Sequence, residues 1–213
     1  QVVLVLAGLT ALYIANSLMP WSIGLLQRHD HSFYFPFWSS TSILHWGSVA
    51  LIVFLLKRVG GRLADIGLDL SPIKAAAMIG IPLVVGLLLT LMQETAAANH
   101  SPPSVSSAVL PASLGERLFW IFMSFTAGFC EELIYRGFSI HMLQRHKVRT
   151  WLAVVLATLA FFFMHGISAI ALPHFLTIYI AGLLFSFLFL WRRSLLPGIC
   201  LHALIDVANI GVP

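Results

Sequence analysis

The succession of apolar runs limits this chain more than any other feature. A membrane-crossing helix needs about 20 mostly apolar residues, and seven segments qualify. They run from Val2 to about Trp21, Ser40 to Leu56, Ile73 to Met92, Leu118 to Met142, Thr150 to Leu172, His174 to Trp191 and Leu196 to Val212. Of the 213 residues, 59% are hydrophobic and only 9% charged, whereas soluble domains carry roughly 25% charged residues. The chain lacks the polar surface to face water. The expected fold is all-α: a single integral-membrane domain over residues 1–213, a polytopic transmembrane bundle of about seven spans. The opening QVVLVLAGLT has no basic leader and reads as the start of a membrane helix, not as a signal peptide.

The joints between runs carry the orientation signal. Lys57, Arg58, Arg62 and Lys74 follow the second run, Arg145, Lys147 and Arg149 the fourth, and Arg192 and Arg193 the sixth. The alternate joints hold only Arg28 and Arg117. Basic joints face the cytoplasm, so the N-terminus is expected inside and the C-terminus outside. The lipid bilayer is the expected environment. Nucleic acid is not an expected partner, because no basic run with interleaved aromatics occurs. Two cysteines, Cys130 and Cys200, lie in apolar runs and read as small core residues.

Ionisable groups inside a membrane are expensive and face a bundle interior or a wet cavity. FCEELIYRGF, residues 129–138, puts Glu131, Glu132 and Arg136 into such a run. FFFMHG adds His165, and LHALIDVAN adds His202, Asp206 and Asn209. Glu132 and Arg136 are four apart and meet across one helical turn. Phe161 and His165 have the same spacing. His202, Asp206 and Asn209 form one stripe on a helix face. At 1.5 Å per residue, Glu131 lies about 15 Å and His202 about 13 Å inside the basic boundary. The matched depth predicts a shared polar cavity in the cytoplasmic half. His29 and His31 around Asp30 read as an interfacial loop. His45, His100, His141 and His146 have no partner by spacing, and His174 reads as a cap or surface residue.

These residues resemble a known family. EELIYR matches the EExxxR motif of the CAAX protease and bacteriocin-processing (CPBP, or Abi) intramembrane proteases. FFFMH contains its FxxxH, from Phe161 to His165, and HALID fits its HxxxN or HxxxD. The three occur in the family's order over about residues 117–210, the expected catalytic core. The resemblance implies endopeptidase cleavage of a membrane-anchored or C-terminally tagged protein, prenylated in some members, and a bacterial plasma membrane is the expected location. It implies that Glu131 and His165 activate a water, that Glu132 with Arg136 supports them, and that His202 and Asp206 stabilise the oxyanion.

The residues are compatible with that chemistry, since amide hydrolysis needs a base for water and donors for the developing oxyanion. Arg136 holds Glu132 ionised and leaves Glu131 to act as base, and Phe161 shapes the wall. An ionised Asp206 would repel an oxyanion. Either it is protonated by burial, or it holds His202 as an imidazolium that donates, or Asn209 supplies the donor; the second is favoured. No cofactor is favoured. Were Zn²⁺ bound, its ligands would be Glu131, His165, His202 and Asp206, although no HExxH occurs. A thiol mechanism through Cys130 is disfavoured, because Cys130 points about 100° away from Glu131. Two rival functions remain: a non-catalytic immunity or scaffold protein of the same fold, and a small proton-coupled transporter.

Overall fold

A computed structural model describes residues 2–22, 31–69, 71–97, 110–165 and 172–208. They form helices α1 (Val2–Ser22), α2 (Tyr34–Arg58), α3 (Pro72–Ala97), α4 (Leu114–Glu131), α5 (His141–Arg145), α6 (Thr150–Met164), α7 (Leu172–Arg192) and α8 (Leu196–Ala208). No strand occurs among the described residues. Between α4 and α5 the backbone widens into a π-helical segment, Glu132–Ile140, without breaking the helix. Among the described residues, three helices are long and apolar enough to cross a membrane: Tyr34–Arg58, the continuous Leu114–Arg145, and Phe175–Arg192. Shorter apolar helices pack around them. Large side chains such as Leu4, Ile43, Met92 and Trp191 project outward. An apolar exterior on this scale suits lipid, not water. The chain is an integral membrane protein.

Local chemistry sets the helix ends. α4 starts on a capping box: Ser113 Oγ accepts from the Glu116 amide, and Glu116 Oε2 accepts from the Ser113 amide at 2.9 Å, which satisfies donors the first turn leaves free. Arg117 in the same turn is buried and pairs with Glu94 of α3. α2 begins six residues before the expected Ser40, so the aromatic segment YFPFW is helical. Pro36 falls in the first turn, where its missing N–H has no helical acceptor to satisfy. α6 stops at Met164, short of the expected Leu172. Residues 209–213, including Asn209, lie outside the described residues, as do His29, Asp30 and His100.

The basic joint after α2 is anchored rather than loose. A short 3₁₀ turn over Leu63–Ile66 buries Ile66, and Leu68 follows it inward. Gly67 between them has φ of +84°, a conformation that strongly favours glycine. Its carbonyl accepts from the Leu195 amide at 2.9 Å, tying the joint to the start of α8.

α4 is the central helix. Most of its apolar window is buried, whereas those of α2 and α7 are largely exposed. It packs against α2, α3 and α8. At the α4–α8 contact, a Cβ on Gly128 would stand 3.0 Å from both the Ala203 nitrogen and the Ile199 oxygen. Only glycine allows the two backbones to approach so closely.

Candidate active site

The π segment carries the EExxxR residues. Every side chain from Glu132 to Ile140 is buried. A wide turn leaves backbone carbonyls in altered register, and Ser139 Oγ donates to the Ile134 carbonyl at 2.6 Å. Such segments concentrate at functional sites.

Glu132 and Arg136 form the pair that their spacing predicts. Arg136 Nη1 donates to Glu132 Oε1 at 2.9 Å, and Nη2 donates to the Gly182 carbonyl of α7 at 3.3 Å. The guanidinium carbon lies 4.0 Å from the Phe161 ring centroid and 5.2 Å from that of Phe185. This buried cation is therefore held by an anion, a carbonyl and two aromatic faces. Phe161 is the hub of the arrangement. Its ring also meets His165 at 4.9 Å and His202 at 5.9 Å, edge to face in both cases.

His202 is oriented by Glu132, not chiefly by Asp206. Its Nδ1 donates to Glu132 Oε1 at 3.0 Å, and Phe185 stacks on its ring at 5.0 Å. Its Nε2 stands 3.7 Å from Asp206 Oδ2 and 3.7 Å from Glu131 Oε2. Those separations exceed hydrogen-bond range. The expected Asp206–His202 pairing is present as an ion pair at 3.7 Å, and a shorter Glu132 bond that spans α8 and the π segment joins it. Spacing within one helix suggests the first pairing and conceals the second.

His165 caps the end of α6, one residue past the helix. Its Nδ1 is 2.8 Å from the Phe161 carbonyl. A carbonyl only accepts, so Nδ1 carries the proton and Nε2 of the neutral ring is free to accept another. Glu131, His165, His202 and Asp206 all line one cavity of about 270 Å³, together with Trp120 and Ser124 of α4 and Thr41 of α2.

The structure adds a residue that spacing did not single out. His45 of α2 places Nε2 2.9 Å from Glu131 Oε1. The signal was available, because a histidine inside an apolar run is itself costly; its partner, 86 residues distant, was not. Glu131 Oε2, by contrast, is buried and without a hydrogen-bond partner in the protein.

The cavity runs away from the basic joints. Its lining passes from Glu131 to Trp120, Trp38, Phe37 and Asn16, at the ends of α4, α2 and α1 remote from Arg58 and Arg145.

Among the described residues, no three His, Cys, Asp or Glu side chains stand where they could hold one metal ion. Glu131, His165, His202 and Asp206 thus do not fit a zinc site as arranged here. Cys130 is fully buried in the core, and Cys200 is partly buried.

No curated protein and no solved structure matches the chain. A family model does: Rce1-like, type II CAAX prenyl endopeptidase, over residues 113–208. Members of that family are CAAX-type intramembrane proteases. The match spans α4 to α8 and contains the three motifs, so residues 113–208 form an Rce1-like domain that matches the CAAX protease family.

Proposed function

We propose that this protein is an intramembrane endopeptidase of glutamate type, cleaving one peptide bond of a membrane-anchored protein substrate. The observation that carries the reading is the unpartnered Glu131 Oε2, buried on the cavity wall and 3.7 Å from His202 Nε2. A carboxylate oxygen with no protein donor suits a water as its partner. Glu131 Oε2 takes a proton from that water as its oxygen attacks the carbonyl carbon. His165 Nε2, bare in the neutral ring, relays the proton to the leaving nitrogen as the C–N bond breaks. The products are a carboxyl and an amine. His202, protonated on both nitrogens, donates Nδ1–H to Glu132 and offers Nε2–H to the oxyanion. Glu132 and Arg136 fix the direction of that donor. Asp206 balances the charge from farther away.

The proposed architecture is seven spans, with the four shorter apolar helices completing the bundle and the basic joints in the cytoplasm. The N-terminus is then inside and the C-terminus outside. In that orientation the cavity lining extends from Glu131 to Asn16, Phe37 and Trp38 at the helix ends remote from the basic joints, and the scissile segment enters from a bacterial plasma membrane. The reaction as proposed uses no metal. The test is purified protein in lipid nanodiscs with farnesylated and unmodified membrane-anchored peptides, products read by mass spectrometry. Cleavage that disappears in both Glu131→Gln and His165→Ala supports the mechanism; unaltered cleavage in both discards it. Metal content of the same active sample decides between water held by protein alone and water held on zinc.

A further inference from the structure

The family match covers residues 113–208, yet the proposed base is held from outside it. His45 belongs to α2, is 2% exposed, and reaches across to Glu131. Its ring is fixed on two sides. Nδ1 lies 2.8 Å from the Thr41 carbonyl one turn earlier, and Tyr13 of α1 packs edge-on at 5.0 Å. The Thr41 carbonyl only accepts, so Nδ1 carries a proton. Nε2 is then committed to a single interaction, the 2.9 Å contact with Glu131 Oε1. One proton lies between those two atoms, whichever of them owns it, because two bare acceptors do not approach this closely.

The consequence concerns Glu131's other oxygen. With Oε1 engaged, rotation of the carboxyl group would break the bond to His45. Oε2 is therefore the oxygen presented beside His202, and it has no protein partner. We infer that His45 is a positioning residue of the hydrolytic site, supplied by α2, which locks Glu131 so that Oε2 alone faces the substrate water. This inference rests on the glutamate mechanism proposed above. It makes α2 part of the machinery and not only its wall, so residues 113–208 alone would hold Glu131 without this hydrogen-bonded anchor.

Two substitutions separate positioning from packing. His45→Leu keeps an apolar volume and removes the bond. His45→Gln retains an amide N–H that can reach Oε1. Both go into the full chain in nanodiscs, with Glu131→Gln as companion, and kcat and KM are measured on a peptide that the unaltered protein cleaves. His45→Leu is expected to lower kcat about a hundredfold, the order of loss that a displacement near 1 Å produces, with KM unchanged, and His45→Gln to restore most of it. Unchanged kcat in His45→Leu, equal loss in Leu and Gln variants, or a loss confined to KM overturns the inference. Cleavage that survives Glu131→Gln instead sinks the glutamate mechanism itself. Histidine ¹⁵N NMR of the unaltered protein and of Glu131→Gln needs neither His45 variant nor turnover: a changed Nε2 signal of His45 supports the coupling, and an unchanged one refutes it.

Discussion

Arg136→Met tests the polar centre most directly. Arg136 is fully buried, and methionine keeps much of its length while deleting the 2.9 Å bond to Glu132, the 3.3 Å bond to Gly182 and the 4.0 Å stack on Phe161. Breaking a buried ion pair by removing one partner costs about 3–5 kcal/mol. The desolvated cation–π contact is worth about 2 kcal/mol, but both losses derive from the same charge and do not add in full. A central value of about 4 kcal/mol follows. At this chain length each kcal/mol moves the melting temperature by about 2–4 °C, so a fall of about 8–16 °C is expected. Tryptophan fluorescence during heating in one detergent reads it. The double variant Glu132→Leu/Arg136→Met removes both charges and leaves only the His202 Nδ1–H without its acceptor, a cost of about 1–3 kcal/mol. It should melt above the single Arg136→Met variant. A single variant melting within about 2 °C of the unaltered protein, under 1 kcal/mol on the same scale, refutes the reasoning. So does a double variant that loses the full sum of its two single losses.

Three further outcomes are expected. Gly128→Ala pushes a methyl against the α8 backbone at 3.0 Å; a loss of about 1–3 kcal/mol and slower cleavage should appear together, and full activity in that variant would refute the close α4–α8 approach. Glu132→Gln should slow cleavage more than Asp206→Asn, because Glu132 bonds His202 at 3.0 Å and Asp206 stands 3.7 Å away; the reverse order of kcat values returns the orienting role to Asp206. In the exposed joint, the Arg62 amide donates to Asp65 at 2.8 Å and, with the Arg62 guanidinium, holds that carboxyl below its ordinary range. A carboxyl lowered in this way contributes its cap at neutral pH and loses it as pH falls through the lowered value. The Arg62 amide resonance should therefore titrate with a midpoint below about 3.9, the free aspartate value, and a midpoint above that would refute the cap.

Much of the centre was readable from spacing because its pairs are local. Glu132 and Arg136, and Phe161 and His165, each meet within one turn, and a turn is what sequence spacing reports. The bonds that join helices were not readable. His45 to Glu131 and His202 to Glu132 connect residues 86 and 70 positions apart, and which histidine faces which carboxylate depends on helix packing. Apolar pattern also hides changes in backbone form. The run from Thr150 to Leu172 stays apolar past Met164, where α6 ends and His165 turns into the cavity. The aromatic residues before Ser40 read as an interface segment, yet they are helical, because a proline in the first turn does not oppose a helix.

The π segment has a consequence for the whole of the long helix from Leu114 to Arg145. A regular helix is a rigid dial: fixing the direction of Glu131 would also fix which residues near Arg145 face the protein. Wider turns over Glu132–Ile140 uncouple the two directions, since each residue taken up beyond the α-helical count turns everything downstream by about 100°. Removing one residue inside this stretch would restore the narrow winding and rotate the surface hairpin relative to the hydrolytic wall. Diversification of that hairpin is therefore free to proceed without re-aiming the carboxylate, provided the wide stretch keeps its length.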